Sequence, residues 1–438
     1  MKKTKLELTW IGKNKQPHIE PCMYQEDPSK SYHAPNKVTE NDIFDNKLIF
    51  GDNLTALKAM EHEYAGKVKC VYIDPPYNTG NSFEHYADSL DHASWLSSMR
   101  DRLVCLRSLL GDEGFICCHI DDSEGPYLKI LMDELFGRDK YIGTMYVHIR
   151  NANKMLKQDM IFHKQIEQVH VYRKQKDTQP NLNSKPKNFD KFCFYVEEKK
   201  PGKEFTLGNK KVVMFDKDSF VIKKSDGSED GLKEIWATGS ILDGNSSGRF
   251  FRDYIDGRVS DDGLGVLYKV YGIGDDKFDY RYFTGPKRKG ATKGKYFQGV
   301  PLKQLENPDA VQNTPIENFY DLAGSFGNCR HEGGVDFRSG KKPEKLLETI
   351  LKHFSNPGDL VLDTFGGSGT TAAVAHKMGR RWITMEIGEQ CLTHIVPRLQ
   401  RVIDGSDQGG ISKSVKWRGG GGFRFYNPVQ VNKKGLTK

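Results

Sequence analysis

Apolar positions along the chain follow strand and helix spacings up to about residue 174, lose that order, and regain it near residue 340. Residues 48–50 form a short apolar run that predicts a strand, and Leu54, Leu57 and Met60 then recur on one helical face. Residues 69–73 predict a second buried strand. Trp95, Leu96, Met99, Leu103, Leu106 and Leu110 lie on one stripe of a long helix. Residues 114–120 predict a third strand. Tyr127, Leu128, Leu131, Met132, Leu135 and Phe136 mark another amphipathic helix, ended by Gly137. Residues 143–149 and 166–172 predict two further strands.

Between about 175 and 330 the chain is rich in Lys, Asp, Gly and aromatics, with short alternating runs at 192–196 and 280–283. That pattern predicts a β-rich insertion rather than more βα units. The earlier alternation then returns. Leu346, Leu347, Ile350, Leu351 and Phe354 line a helix, and residues 360–362 and 382–387 predict strands. Residues 415–418 and 423–426 flank four glycines and read as a hairpin. The expected fold is α/β, a Rossmann-like sheet with a β-rich insertion. Its expected divisions are an arm at 1–45, a first half at 46–174, the insertion at 175–330 and a second half at 331–438.

Composition narrows the class without choosing a function. With 438 residues, 37% of them hydrophobic, the chain is long enough for two or three domains with real cores. No stretch approaches the ~18 apolar residues of a membrane span. The start, with Lys2, Lys3 and Lys5, lacks the apolar run of a signal peptide. A soluble, cytoplasmic chain with no membrane partner is expected. Cysteines 22, 70, 105, 117, 118, 193, 329 and 391 include no Cys-x-x-Cys pair, so they read as reduced, mostly buried thiols. His62-Glu63 and His331-Glu332 lack a second His four residues on, which removes the zincin reading, and no metal is expected.

The net charge of +8 is mild, but its distribution is informative: residues 151–330 hold 31 basic and 25 acidic side chains. Arg281, Lys287, Arg288, Lys289, Lys293 and Lys295 fall there without an intervening acid. Tyr282, Phe283, Tyr296 and Phe297 are interleaved among them. The cluster reads either as a solvated hairpin or as a DNA-binding surface that tracks phosphates beside stacking platforms.

Asp363-Thr364-Phe365-Gly366-Gly367-Ser368-Gly369-Thr370-Thr371 follows a strand and opens a helix. From Gly367 to Ala372 it fits the dinucleotide fingerprint in its Ala-ending form. Glu386 ends the next strand, where a ribose-binding acid belongs. The glycines let the backbone approach a ligand, and the acid accepts hydrogen bonds from ribose hydroxyls. NAD(H), FAD and S-adenosylmethionine all carry that ribose, so the turn predicts an adenosine-bearing cofactor without choosing one. No Gly-Lys-Ser/Thr closes the loop, which excludes a P-loop.

Asp74-Pro75-Pro76-Tyr77 makes the choice. A strand delivers a carboxylate to the carboxyl edge of the sheet, and two prolines hold the following chain stiff. Methylation of an exocyclic amine on a base needs this set. The amine lone pair is delocalised into the ring, so the nitrogen is a poor nucleophile. Asp74 and the Pro75 carbonyl can accept from its two N–H groups, turning the lone pair toward the methyl group. Tyr77 can stack on an extruded base.

Together these motifs resemble the amino-methyltransferases of DNA. Asp74 to Tyr77 is similar to their catalytic motif and Phe365 to Gly369 to their S-adenosylmethionine loop, and the order, with the catalytic motif first, resembles the beta class. Leu8 to Gly12, Asp74 to Gly80, Ile120 to Asp122, Gly334 to Pro343 and Phe423 to Tyr426 resemble the modification (Mod) subunits of type III restriction systems. The resemblance implies a circularly permuted Rossmann-like methyltransferase sheet, with residues 48–50 supplying the strand beside the one that ends at Glu386. It implies direct, metal-free methyl transfer from S-adenosylmethionine to adenine N6 of double-stranded DNA. Asp74, Pro75, Pro76 and Tyr77 carry that chemistry, and the insertion carries target recognition. Asp52 is implied at the cofactor adenine and Lys342 near its methionine carboxylate, with Asp363, Phe365, Gly367, Gly369, Thr370 and Glu386 around the rest. A restriction subunit and a second copy of the chain are the candidate partners.

Other readings stay beside this one. Cytosine N4 methylation uses the same amine logic, although Asp at the first motif position favours adenine. C5 methylation needs a nucleophilic Cys, and the one Pro-Cys pair, Pro21-Cys22, precedes every predicted strand. A catalytically silent DNA-binding subunit would not need the complete set of Asp74, Tyr77, glycine turn and Glu386. A dehydrogenase fits the glycine turn alone.

Overall fold

The structure, a computed structural model, describes residues 7–430 apart from 16, 18, 20–21, 80–89, 154–160, 187, 238–245, 292 and 306–310. It divides into two compact units, Met1–Asn183 with Pro315–Lys438, and Ser184–Thr314. The first unit is built on one large sheet. Its strands are β1 (Cys22–Glu26), β2 (Asn46–Phe50), β3 (Val68–Ile73), β4 (Leu110–Ile120), β5 (Tyr141–His148), β6 (Ile166–Arg173), β7 (Phe319–Asp321), β8 (Leu360–Asp363), β9 (Arg381–Glu386) and β10 (Gly422–Gln430). Their spatial order is β1-β10-β2-β9-β8-β3-β4-β6-β5-β7, with Tyr32–His33 also paired to β10. Pairing is parallel from β10 through to β4, and β6 runs antiparallel between β4 and β5.

The parallel strands are apolar on both faces, as strands covered twice must be. Side chains alternate between two cores. Val71 and Leu362 face α1 (Asn53–Tyr64), α2 (His92–Leu109) and α3 (Gly125–Phe136) through Leu57, Leu96 and Leu131. Cys70 and Val361 face α4 (Glu344–Phe354), α5 (Thr370–Lys377) and α6 (Val396–Ile403) through Leu346, Ala373 and Leu399. The helix starts follow capping chemistry: Asp52 and Asp91 accept from the backbone N–H of Thr55 and Ser94.

The permuted order is observed directly, since β9 pairs in parallel with β2 from the start of the chain. The predicted hairpin near the end is not. Residues 415–418 form a turn, docked by the Trp417 indole on the Val402 carbonyl at 2.7 Å. Gly419, Gly420 and Gly421, with φ of 99°, 105° and 76°, then redirect the chain so that β10 lies between β1 and β2. Leu110 opens β4 instead of closing α2. Phe319–Asp321, inside the stretch read as insertion, pairs with β5, and β1 in the expected arm joins the same sheet.

The second unit is β-rich. Its main sheet has six antiparallel strands in the order Lys203–Leu207, Lys210–Phe215, Leu267–Tyr271, Tyr280–Thr284, Gly294–Gln298 and Lys233–Ala237. Among the described residues no helix is long and apolar enough to cross a membrane. Seven of the eight cysteines are buried.

Candidate active site

Because β2, β9, β8, β3 and β4 are parallel neighbours, the residues just past their ends line one edge. Asp52, Glu386, Asp363, Asp74 and Asp121 follow one another there in spatial order. Open α/β sheets bind ligands at this carboxyl edge.

The glycine turn joins β8 to α5. Gly367 and Gly369 have φ of 54° and 75°. A Cβ on Gly366 would stand 2.7 Å from Thr384 Cγ2, so the close approach to β9 requires glycine there. Glu386 is almost fully engaged: Oε2 accepts from Gly367 N at 2.7 Å, and Oε1 from Gly388 N and Gln390 Nε2 at 2.8 and 2.9 Å. A carboxylate has about four lone-pair sites, so one remains for a ligand hydroxyl. Asp363 is 2% exposed and accepts from Phe365 N at 2.9 Å. Burial pushes its carboxyl up to about 7, against hydrogen bonds from Thr371 and Phe365 and with the nearby Asp74 and Glu386 adding. Burial also raises Glu386. Asp52, with its side chain 42% exposed, caps α1 and meets Arg102 Nη2 at 3.2 Å. Thr370 donates its hydroxyl to the Lys342 carbonyl at 3.1 Å.

Beneath the turn lies an ion network that the sequence pattern did not suggest. Arg398 Nη1 reaches the Ser368 carbonyl (3.1 Å) and Thr370 Oγ1 (2.8 Å), while Nη2 meets Glu344 Oε1 at 2.8 Å. Lys377 Nζ lies 2.7 Å from both Glu344 and Asp407, and the side chains of Arg398, Glu344 and Lys377 are all fully buried.

The Asp-Pro-Pro-Tyr turn leaves β3 with the Pro76 carbonyl and the Tyr77 ring held. Trp95 Nε1 donates to the Pro76 carbonyl at 2.8 Å, and Asn78, at φ 57°, donates to Glu124 Oε1 at 2.8 Å. The Tyr77 hydroxyl donates to Asp74 Oδ1 at 2.8 Å and accepts from Lys342 Nζ at 2.7 Å. The Lys342 ammonium thus faces the Asp-Pro-Pro-Tyr turn, while its carbonyl meets the glycine turn at Thr370. Its ammonium also lies 3.1 Å from Glu167 Oε2 and 3.4 Å from Asp74 Oδ1, and 4.8 Å from the centroid of the Tyr77 ring. Glu167 in turn stands 2.9 Å from His119 Nε2, within ion-pair distance but without hydrogen-bond alignment. His119 Nδ1 and the Tyr72 hydroxyl share a 2.8 Å hydrogen bond. Burial would raise Glu167, but Lys342 and His119 outweigh it and hold the carboxyl well below the usual range. Burial likewise opposes the charge of Lys342, and Asp74 and Glu167 outweigh it and raise the ammonium.

Sequence reasoning missed Glu167, His119 and Tyr72 because each sits inside a strand. A lone acid in the apolar run 166–172 was the available signal.

The basic cluster lies in the other unit and separates into two kinds of residue. Arg281 is 2% exposed and ion-paired with the buried Asp276, so it holds the unit together and does not face solvent. Tyr282, Phe283, Tyr296 and Phe297 are likewise core side chains rather than stacking platforms. Lys295 pairs with Glu234 at 2.6 Å and lies over the Trp236 ring. Lys287, Arg288, Lys289 and Lys293 are exposed, on the turn between Tyr280–Thr284 and Gly294–Gln298.

The fold and site define an open, permuted α/β class that sets a glycine turn and an Asp-Pro-Pro-Tyr turn on adjacent strand ends. The DNA methylase family model matches residues 68–397, and the chain belongs to that family. It is 34% identical over 431 residues to the probable type III restriction-modification enzyme HindVI Mod subunit of Haemophilus influenzae, covering 89% of this chain and 54% of that protein. It is 28% identical to the EcoPI Mod subunit of Escherichia phage P1, covering 86% of this chain and 62% of that one. The chain thus spans little more than half the length of these relatives. Among solved structures, the PvuII cytosine-N4-specific DNA methyltransferase aligns with a TM-score of 0.41 at 12% identity, over 87% of this chain and 94% of that one.

Proposed function

We propose that the chain transfers a methyl group from S-adenosylmethionine to N6 of an adenine extruded from double-stranded DNA, as the modification subunit of a type III restriction system. The observation that carries this reading is the pairing on adjacent strand ends of Asp74, poised at the turn after β3, with the glycine cradle after β8. The cradle suits the cofactor. Among the described residues, the Thr364 hydroxyl beside Asp363 is buried with no hydrogen-bond partner, and a Cβ at Gly367 would meet only the Phe365 carbonyl oxygen, at 3.9 Å, leaving that side of the turn open. Glu386 would take a ribose hydroxyl with its remaining lone pair, Asp52 would lie at the adenine, and Phe365 would line the turn. S-adenosylmethionine supplies an electrophilic methyl group on its sulfonium. Asp74 and the Pro75 carbonyl orient the amine by accepting from its two N–H groups, and Asp74 offsets positive charge as it grows on the nitrogen. Tyr77 presents a ring face for the base. Lys287, Arg288, Lys289 and Lys293 would track phosphates. A restriction subunit and a second copy of the chain are the partners this reading proposes.

The test is modification-sensitive sequencing of DNA from a methylation-free host that expresses the chain. N6-methyladenine at one motif is expected, and Asp74→Ala should abolish it with cofactor affinity kept. N4-methylcytosine instead would move the reading to the cytosine reaction, and unmodified DNA would overturn it.

A further inference from the structure

Lys342 has three N–H donors, and three acceptors surround it: the Tyr77 hydroxyl at 2.7 Å, Glu167 Oε2 at 3.1 Å and Asp74 Oδ1 at 3.4 Å. The side chain is 8% exposed and its ammonium is enclosed by these three groups. Two carboxylates therefore share one ammonium at the catalytic turn. The shared hydroxyl of Tyr77 links them, 2.8 Å from Asp74 and 3.3 Å from Glu167. That hydroxyl commits Asp74 Oδ1, and an incoming amine N–H meets Oδ2. Glu167 comes from β6, the antiparallel strand, and is backed by His119 of β4, whose side chain is fully buried.

We propose that Lys342 and Glu167 are positioning residues for methyl transfer: they aim the Asp74 carboxylate and lock the Tyr77 ring through its hydroxyl. This rests on the functional reading above and adds residues to it. Two carboxylates around one ammonium complement the positive charge developing on the amine. The Lys342 carbonyl also takes the Thr370 hydroxyl of the glycine turn, so one residue ties the cofactor loop to the catalytic turn.

Single-turnover methyl transfer to duplex DNA at saturating S-adenosylmethionine, with cofactor and DNA affinity measured separately, tests this with Glu167→Gln and Lys342→Met. Both saturated rates should fall at least roughly tenfold, as for a lost orienting group, with both affinities within about threefold. Saturated rates that match wild type overturn the proposal. So does a K342M protein that keeps its saturated rate but loses cofactor affinity. If K342M does not fold, E167Q decides alone, and an unchanged saturated rate overturns the proposal. A wild-type protein that methylates no DNA overturns the functional reading itself, whereas wild-type transfer with unchanged variant rates overturns the positioning role only.

Discussion

Single carboxylates at the strand ends differ because their surroundings differ, and Asp363 is the extreme case. Its carboxyl is raised to about 7 by burial, with the nearby Asp74 and Glu386 adding. Between the ordinary aspartate range and about pH 7 the folded chain holds a proton that the unfolded chain has released. Stability attributable to this group is therefore present at low pH, falls as pH rises through that window, and stays lost above it. Asp363→Asn should remove the slope. Relative to wild type, D363N should gain roughly 2–4 kcal/mol between about pH 5 and about pH 8 in urea unfolding, from a shift of about three units. A gain that is the same at both pH values would show that Asp363 is ionised throughout. At this scale the sequence reads well for Asp74, Tyr77 and Glu386, because each follows an apolar run that must be a strand. It reads poorly for Lys342, because a Lys-Pro dipeptide does not reveal which way an ammonium points once two carboxylates compete for it.

Elements decide which residues become neighbours, and here the antiparallel β6 matters most. Inserted between β4 and β5, it carries Glu167 to the edge where β3 ends. The run 166–172 announces a strand but not its place in the sheet, so neither Glu167 nor its partner His119 is legible as part of the site. The glycine turn has a similar hidden dependence. Glu344 opens α4, Lys377 closes α5 and Arg398 lies in α6, and their fully buried charges meet under the turn. An apolar stripe predicts a helix and says nothing about a charge on the same face. Removing the Glu344 charge leaves Arg398 buried without its carboxylate, while Lys377 keeps Asp407, and stranding one buried charge costs about 3–5 kcal/mol. Glu344→Gln should lower unfolding stability by that amount in urea titration. It should also weaken cofactor binding, because Arg398 would lose the partner that aims it at Ser368 and Thr370. A decrease under about 1 kcal/mol would mean the network relaxes around the change.

On the scale of the whole molecule, the modest net charge of +8 conceals two different uses of basic residues. Buried cations in both units serve structure: Arg398 and Lys377 under the glycine turn, and Arg281 against Asp276 in the β-rich unit. Exposed cations gather on the turn carrying Lys287, Arg288, Lys289 and Lys293. Charge counting along a sequence cannot separate the two, because the acid that neutralises Arg281 lies five residues upstream, just outside the run that looked acid-free. The separation is testable. Replacing Lys287, Arg288 and Lys289 together by Ala should weaken DNA binding and reduce the slope of log affinity against log salt by about 2–3, since each phosphate no longer neutralised removes about 0.9 from it. Cofactor affinity and unfolding stability should hold. Arg281→Ala should do the reverse: it strands the buried Asp276 and makes the second unit open to proteolysis, with altered DNA binding following from that opening. A triple variant with an unchanged salt slope would assign the turn to solvent and move phosphate recognition to another face of the unit.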